Sequence, residues 1–146
     1  MIDTHTHLFV EEFSEDLRLV IQRAKEVGVE RLFMPNIDDE SLGDLLKVCA
    51  QYPGYCYPML GYHPTSVDAL SMKKVLRMKE HLVSGHPFIA IGEVGLDLYW
   101  DKTYLREQQV VLDEQIQWAL AWNLPLVIHC REAFAELFDV LRPYKG

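Results

Sequence analysis

The sequence is short of basic residues: 14 Lys and Arg stand against 22 Asp and Glu, a formal net charge of −8. That balance excludes a broad electrostatic footprint for nucleic acid, which needs clustered Lys and Arg to release counterions. It leaves room for a narrow phosphate site, where bound divalent cations reverse the local sign. Cysteine is scarce too. Cys49, Cys56 and Cys130 are odd in number and lack Cys-x-x-Cys spacing, so neither a disulfide framework nor a thiolate zinc site is indicated, and reduced thiols are expected. No apolar run approaches the roughly 20 residues that span a bilayer. An acid and two imidazoles interrupt the first residues, where a secretory signal would need a basic region and an apolar run. The expectation is a soluble, cytoplasmic protein with no membrane association. Low-complexity segments and linkers rich in Gly, Ser or Pro are also missing, so residues 1–146 read as one domain, 49% hydrophobic and able to bury a core.

What is present is an alternation of strand and helix patterns. "MIDTHTHLF" reads as a first strand, with Asp3, His5 and His7 on one side. "SEDLRLVIQRAKEVG" repeats Leu17, Val20, Ile21, Ala24 and Val27 at helical spacing, with Ser14 placed to cap its start and Gly28 its end. "VERLFMPNI" and "DDESLGDLLKVCAQYP" form a second pair, the helix carrying Leu42, Leu45, Leu46 and Cys49 on one stripe. "YCYPMLGYHP" is followed by a helix built on Met72, Val75, Met78 and Leu82 that stops near Gly85. "PFIAIGEVGLD" precedes the long helix "REQQVVLDEQIQWALAWN", and "PLVIHC" precedes "REAFAELFDVLRPY". Strands joined by helical crossovers must pair in parallel, and runs such as "FIAIG" and "PLVI" predict burial on both faces. The class is α/β. Periodicity alone leaves an open doubly wound sheet and a closed barrel both standing.

The polar residues point to the barrel. His5 and His7, Asn36, His63, Glu93 and His129 fall toward the C-terminal ends of successive strands, and that rim is where (β/α) barrels place their active sites. Two His at i and i+2 on a strand project to one face and can hold one ion together. An imidazole or carboxylate from a neighbouring strand completes such a cluster. A carboxylate can bridge two ions. Glu93, predicted to share a strand face with Ile89 and Ile91, would be a costly buried charge without a cation, and its "GEVG" setting leaves room for close approach. Taken singly, His129 reads as a hydrogen-bonded core residue and His63 as a turn residue before Pro64. Taken in order on successive strand ends, they read as a divalent-metal site. Cys130 reads as a small buried hydrophobe beside a ligand.

"IDTHTHL", "GYHP", "IGEVGLD" and "LPLVIHCRE" at these spacings closely resemble the TatD family of metal-dependent hydrolases, many of them described as deoxyribonucleases. The "REQQ" helix, with Gln109 and Gln115, is similar to the same family. The resemblance implies a (β/α) TIM-type barrel and a hydrolase cleaving DNA, or another phosphodiester, through two divalent ions. His5 and His7 would bind the first ion, Glu93 would bridge both as the catalytic carboxylate, and His129 would bind the second. His63 and Arg131 become candidates to contact the phosphate, Arg131 alternatively supporting Glu93, with Asp3 supporting the first two imidazoles. Zinc, manganese, nickel and magnesium are the candidate ions. The family completes its site with a further His after a sixth strand and an Asp after an eighth, neither lying within these 146 residues. The chain is therefore expected to be the N-terminal portion of a barrel that typically takes about 250 residues, with about five of its eight strand-helix units. By itself it is expected to be inactive and to self-associate through open strand edges. The rival readings are an amidohydrolase or lactonase acting on a small molecule, and a metal-binding fragment without catalysis.

Overall fold

Parallel strands separated by helices wind in one direction through the chain. In a computed structural model that describes residues 1–145, β1 (Ile2–Asp3) leads through a 3-10 turn to α1 (Leu17–Glu26), and β2 (Arg31–Pro35) leads to α2 (Leu42–Gln51). After them come β3 (Cys56–Met59) and α3 (Ser71–Val83), β4 (Ile91–Asp97) and α4 (Leu105–Trp122), then β5 (Leu126–Arg131) and α5 (Phe134–Leu141). No described helix is long and apolar enough to cross a membrane.

The strands lie in chain order, which distinguishes a singly wound arc from a doubly wound sheet. β1, β2 and β3 form one parallel ladder and β4 and β5 another. A bridge between Leu60 and Ile91 joins the two, with the Leu60 amide donating to Ala90 and the Gly92 amide to Leu60 at 3.1 and 2.8 Å. Among the described residues β1 pairs only with β2, and β5 only with β4. β5 is therefore an edge. Every residue of β4 is buried, and of the run "FIAIG" that leads into it all but the half-buried Ile89 are buried, whereas "PLVI" is only half-buried and Ile128 is 39% exposed. Full burial was expected of both strands, and only the one with neighbours on both sides attains it.

The helices follow their apolar stripes. Ile21 of α1, Leu45 of α2, Val75 and Met78 of α3, and Leu112, Ile116 and Trp118 of α4 pack on Leu32 and Met34 of β2 and Ile91 and Leu96 of β4. Each such side chain contributes about 1.5–3 kcal/mol by leaving water. Val27, expected on the α1 stripe, is exposed because it sits at the helix end; the chain then turns at Gly28 with φ +85°, the left-handed conformation that glycine tolerates. Ser14 is not the N-cap. Its amide closes the 3-10 turn on Glu11, and the α1 hydrogen bonds begin at the Asp16 carbonyl.

Candidate metal centre

β1 ends at Asp3, so His5 and His7 lie just beyond the strand rather than on it. The segment still tracks β2 through the Thr6 amide, which donates to Phe33 at 3.1 Å. The Asp3 carboxylate accepts from the His5 amide at 3.1 Å, so its support goes to the backbone and not to the imidazoles. Glu93 departs from expectation as well: it is the third residue of β4, well short of the strand end. Three steps along β4 from Ile91 to Val94 match two along β5, from Leu126 to Ile128. This irregularity cancels the simple alternation that placed Glu93 on one face with Ile89 and Ile91.

The four imidazoles converge on that carboxylate. Glu93 Oε2 lies 3.1 Å from His5 Nε2, 4.0 Å from His7 Nε2 and 3.8 Å from His63 Nε2, while Oε1 lies 3.2 Å from His129 Nδ1. Nε2 of His5 and Nε2 of His7 are 3.2 Å apart. Two donor trios result, His5 with His7 and Glu93, and His63 with Glu93 and His129, sharing the one carboxylate. Nitrogen and oxygen donors at about 2.0–2.1 Å from a tetrahedral zinc stand about 3.3 Å from each other, so the closest of these separations suit a common cation. The donor set, imidazole with a single shared carboxylate, fits a borderline divalent ion.

Electrostatics keeps most of these groups ready for a cation. Burial pushes His63 down to about 4, and burial together with the His5 imidazole lowers His7, so both present neutral rings with a free lone pair at neutral pH. Burial acts to raise the Glu93 carboxyl, but the hydrogen bond to His129 and the imidazoles of His63 and His5 outweigh it and hold Glu93 ionised. The hydrogen bond to Glu93 raises His129, against burial and with help from Asp97. A cation bound at His129 must therefore displace a proton held more firmly than usual.

Asp97 is a residue of the candidate site that the sequence reading did not single out. Its Oδ2 is 2.9 Å from His129 Nε2, and its side chain is 2% exposed. When Nε2–H donates to Asp97, the lone pair of His129 is left on Nδ1, the atom that faces Glu93. Gln108 of α4 fixes the aspartate in turn. Its Oε1 accepts from the Asp97 amide at 2.9 Å and its Nε2 donates to the Asp97 carbonyl at 3.1 Å. Gln115 clamps Tyr62 the same way, at 2.7 and 3.3 Å. Gln109, which the "REQQ" pattern suggested, instead faces a surface depression between α4 and α5. The only sequence signal for Asp97 was a carboxylate closing an apolar strand. Asp97→Asn is expected to weaken metal binding by about 10- to 100-fold with an unchanged circular dichroism spectrum, read by calorimetric titration of the metal. Wild-type affinity would remove Asp97 from the site.

The other predicted residues take different places. His63 is both a turn residue and a donor: Nδ1 accepts from the Thr65 amide at 3.2 Å and meets Thr65 Oγ1 at 2.7 Å, which leaves Nε2 for the cluster. Asn36 stays outside it, tying the end of β2 to the Gly61 and Asp38 carbonyls at 2.9 and 2.6 Å. Arg131 makes no hydrogen bond to Glu93 among the described residues. Its guanidinium lies over the Tyr99 ring, 3.7 Å from the centroid, which draws it away from the carboxylate it was offered to support. Cys49 and Cys56 are buried thiols pushed up to about 12 and about 11 by that burial, and so are inert.

A singly wound parallel α/β fold that gathers imidazoles around a shared carboxylate is the frame of a protein able to hold a divalent metal. The chain belongs to the TatD family: the family model described as TatD related DNase matches residues 2–146. It is 36% identical, over 97% of its length, to YabD of Bacillus subtilis, named an uncharacterized metal-dependent hydrolase. It is 33% identical, over 99% of its length, to the 3'-5' ssDNA/RNA exonuclease TatD of Yersinia pseudotuberculosis. Among solved structures, the TatD homolog YjjV of Escherichia coli superposes with a TM-score of 0.82 at 31% identity, over 99% of this chain and 56% of that one. The chain spans 55% of the length of each of those two curated relatives.

Proposed function

We propose that this chain forms part of a (β/α) barrel domain of a divalent-metal-dependent hydrolase that cleaves DNA phosphodiester bonds. One observation carries the reading: the Glu93 carboxylate is shared by two trios of donor groups, one with His5 and His7 and the other with His63 and His129. A carboxylate so placed is suited to hold two ions, His5 and His7 completing the first set of donors, His129 and His63 the second. Zinc, manganese, nickel or magnesium bound there would lower the pKa of a water and neutralise charge developing on phosphate oxygens.

The protein's own groups do the rest. Glu93 stays ionised and sets the spacing of the donors. Asp97 holds His129 in the tautomer that leaves Nδ1 free. Arg131, at the C-terminal end of β5, supplies the one cationic side chain we assign to the substrate. The names of the relatives support nucleic acid as substrate, one of them being an exonuclease of single-stranded DNA and RNA.

The test is a substrate panel of single-stranded DNA, a lactone and a dipeptide, run on the complete polypeptide carrying this chain with each of the four metals in turn. Metal-dependent cleavage of the DNA alone is expected. Turnover of the lactone or the dipeptide in its place would overturn the reading.

A further inference from the structure

The C-terminal ends of β4 and β5 carry a group of side chains that the metal centre does not use. Two residues beyond Asp97, Tyr99 is 47% exposed and Trp100 is 72% exposed. Their rings meet edge to face, with centroids 4.7 Å apart. Two residues beyond His129, the Arg131 guanidinium lies 3.7 Å from the Tyr99 ring centre and 5.4 Å from that of Trp100. A tryptophan this exposed adds little to the core, and large exposed aromatics held in place are typical of binding surfaces.

The placement of this group relative to the donors is fixed. The Tyr99 amide donates to Asp97 Oδ1 at 3.0 Å, and the other oxygen of the same carboxylate orients His129. A depression of about 150 Å³ adjoins Asp97 and Trp100, lined also by Thr65, Asp101, Tyr104 and Gln108 among others. It begins at Thr65, the partner of His63, and at Asp97, the partner of His129, and it reaches Trp100.

We infer that Tyr99, Trp100 and Arg131 form a stacking platform for a nucleobase of single-stranded nucleic acid, seating the nucleotide beside the phosphate held at the metal centre. The inference rests on the phosphodiester reading above and adds the group that reads the substrate. Every base has a π-face, so aromatic stacking tolerates sequence, which suits an enzyme working along a strand. The Arg131 guanidinium, held over the Tyr99 ring, keeps its planar fork of N–H donors for the adjoining phosphate. In a chain of net charge −8, such a local cation is what a polyanion needs beside the metal site.

The experiment measures binding of two fluorescently labelled decamers, both with cleavage-resistant phosphorothioate linkages, to the metal-loaded complete polypeptide carrying this chain at fixed ionic strength. One is oligothymidine and the other has the same backbone without bases. Oligothymidine is expected to bind about tenfold or more tightly than the abasic decamer, and Trp100→Ala is expected to erase about tenfold of that preference. Trp100→Phe, which keeps a ring, should restore most of it. Equal affinity for the two decamers, or a preference unchanged by Trp100→Ala, overturns the platform while leaving phosphodiester binding in place. Failure to bind either decamer overturns the phosphodiester reading along with it.

Discussion

Replacing Glu93 by alanine is expected to abolish binding of the two proposed metal ions, weakening each by more than about 100-fold, because one carboxylate serves both donor trios. Truncating any single imidazole removes a ligand from one trio; truncating Glu93 removes the shared ligand and the only carboxylate oxygens among the clustered donors. Phosphodiester hydrolysis by the complete polypeptide should fall by about 10³-fold or more, the several kcal/mol that Lewis-acid stabilisation supplies. The metal-free fold should persist. Glu93 lies against imidazoles rather than within the hydrocarbon core, and its removal also relieves the cost of a buried charge. Glu93→Gln separates charge from packing, since it keeps the volume and loses the anion, and it should behave like alanine in metal titration. Calorimetry showing two equivalents bound by either variant with wild-type affinity would end the two-ion proposal.

Gly95→Ala is expected to be the most damaging single methyl in the chain. Gly95 pairs with His129 across the β4–β5 ladder at φ +149°, a conformation that L residues rarely adopt, and a Cβ there would overlap the His129 carbonyl. Backbone strain and steric overlap each cost about 1–3 kcal/mol, so about 2–6 kcal/mol together is expected. Typical domain stabilities of about 5–15 kcal/mol leave little to spare against that. The damage should also reach the site, because relieving the clash moves the backbone that carries His129. Gly43→Ala on the exposed face of α2, where a Cβ would meet nothing within 4 Å, is the control. It should be neutral or stabilising by up to about 1 kcal/mol, since alanine loses less backbone entropy in a helix. Chemical denaturation of the two variants side by side makes the comparison, and a Gly95→Ala midpoint within error of wild type would show that the two strands can separate freely there.

Much of this architecture was legible in the residues. The helices announce themselves because Val75, Met78 and Leu82, or Leu42, Leu45 and Cys49, recur at a period that only a helix brings to one face. His5, His7, Glu93 and His129 were legible for a different reason: polar residues with costly burial in apolar surroundings need a partner, and they recur from one strand pattern to the next, although the strand-end placement itself did not hold for His5, His7 and Glu93. What stayed hidden depends on neighbours distant in the chain. The extra residue between Ile91 and Val94 exists only relative to β5, so the alternation argument misplaced Glu93 on its strand. Asp97 looked like an ordinary residue at the end of an apolar run, since its partner lies 32 positions away. Arg131 was read for its charge, whereas an exposed aromatic pair in the loop after β4 decides where its guanidinium lies. Gln108 and Gln109 are indistinguishable in "REQQ" until the orientation of α4 is known, and then only the first meets the backbone of β4.

The two glutamine clamps of α4 divide the labour in a way the ion pairs cannot. Each joins a side-chain amide to a main-chain peptide, at Asp97 and at Tyr62, with no formal charge on either partner. Such bonds are not screened by salt and do not titrate, whereas the histidines they surround respond to both acid and cations. The frame and the contents of the site thus answer to different variables. A proton or an ion can come and go among the imidazoles while one helix holds the residues around them in register.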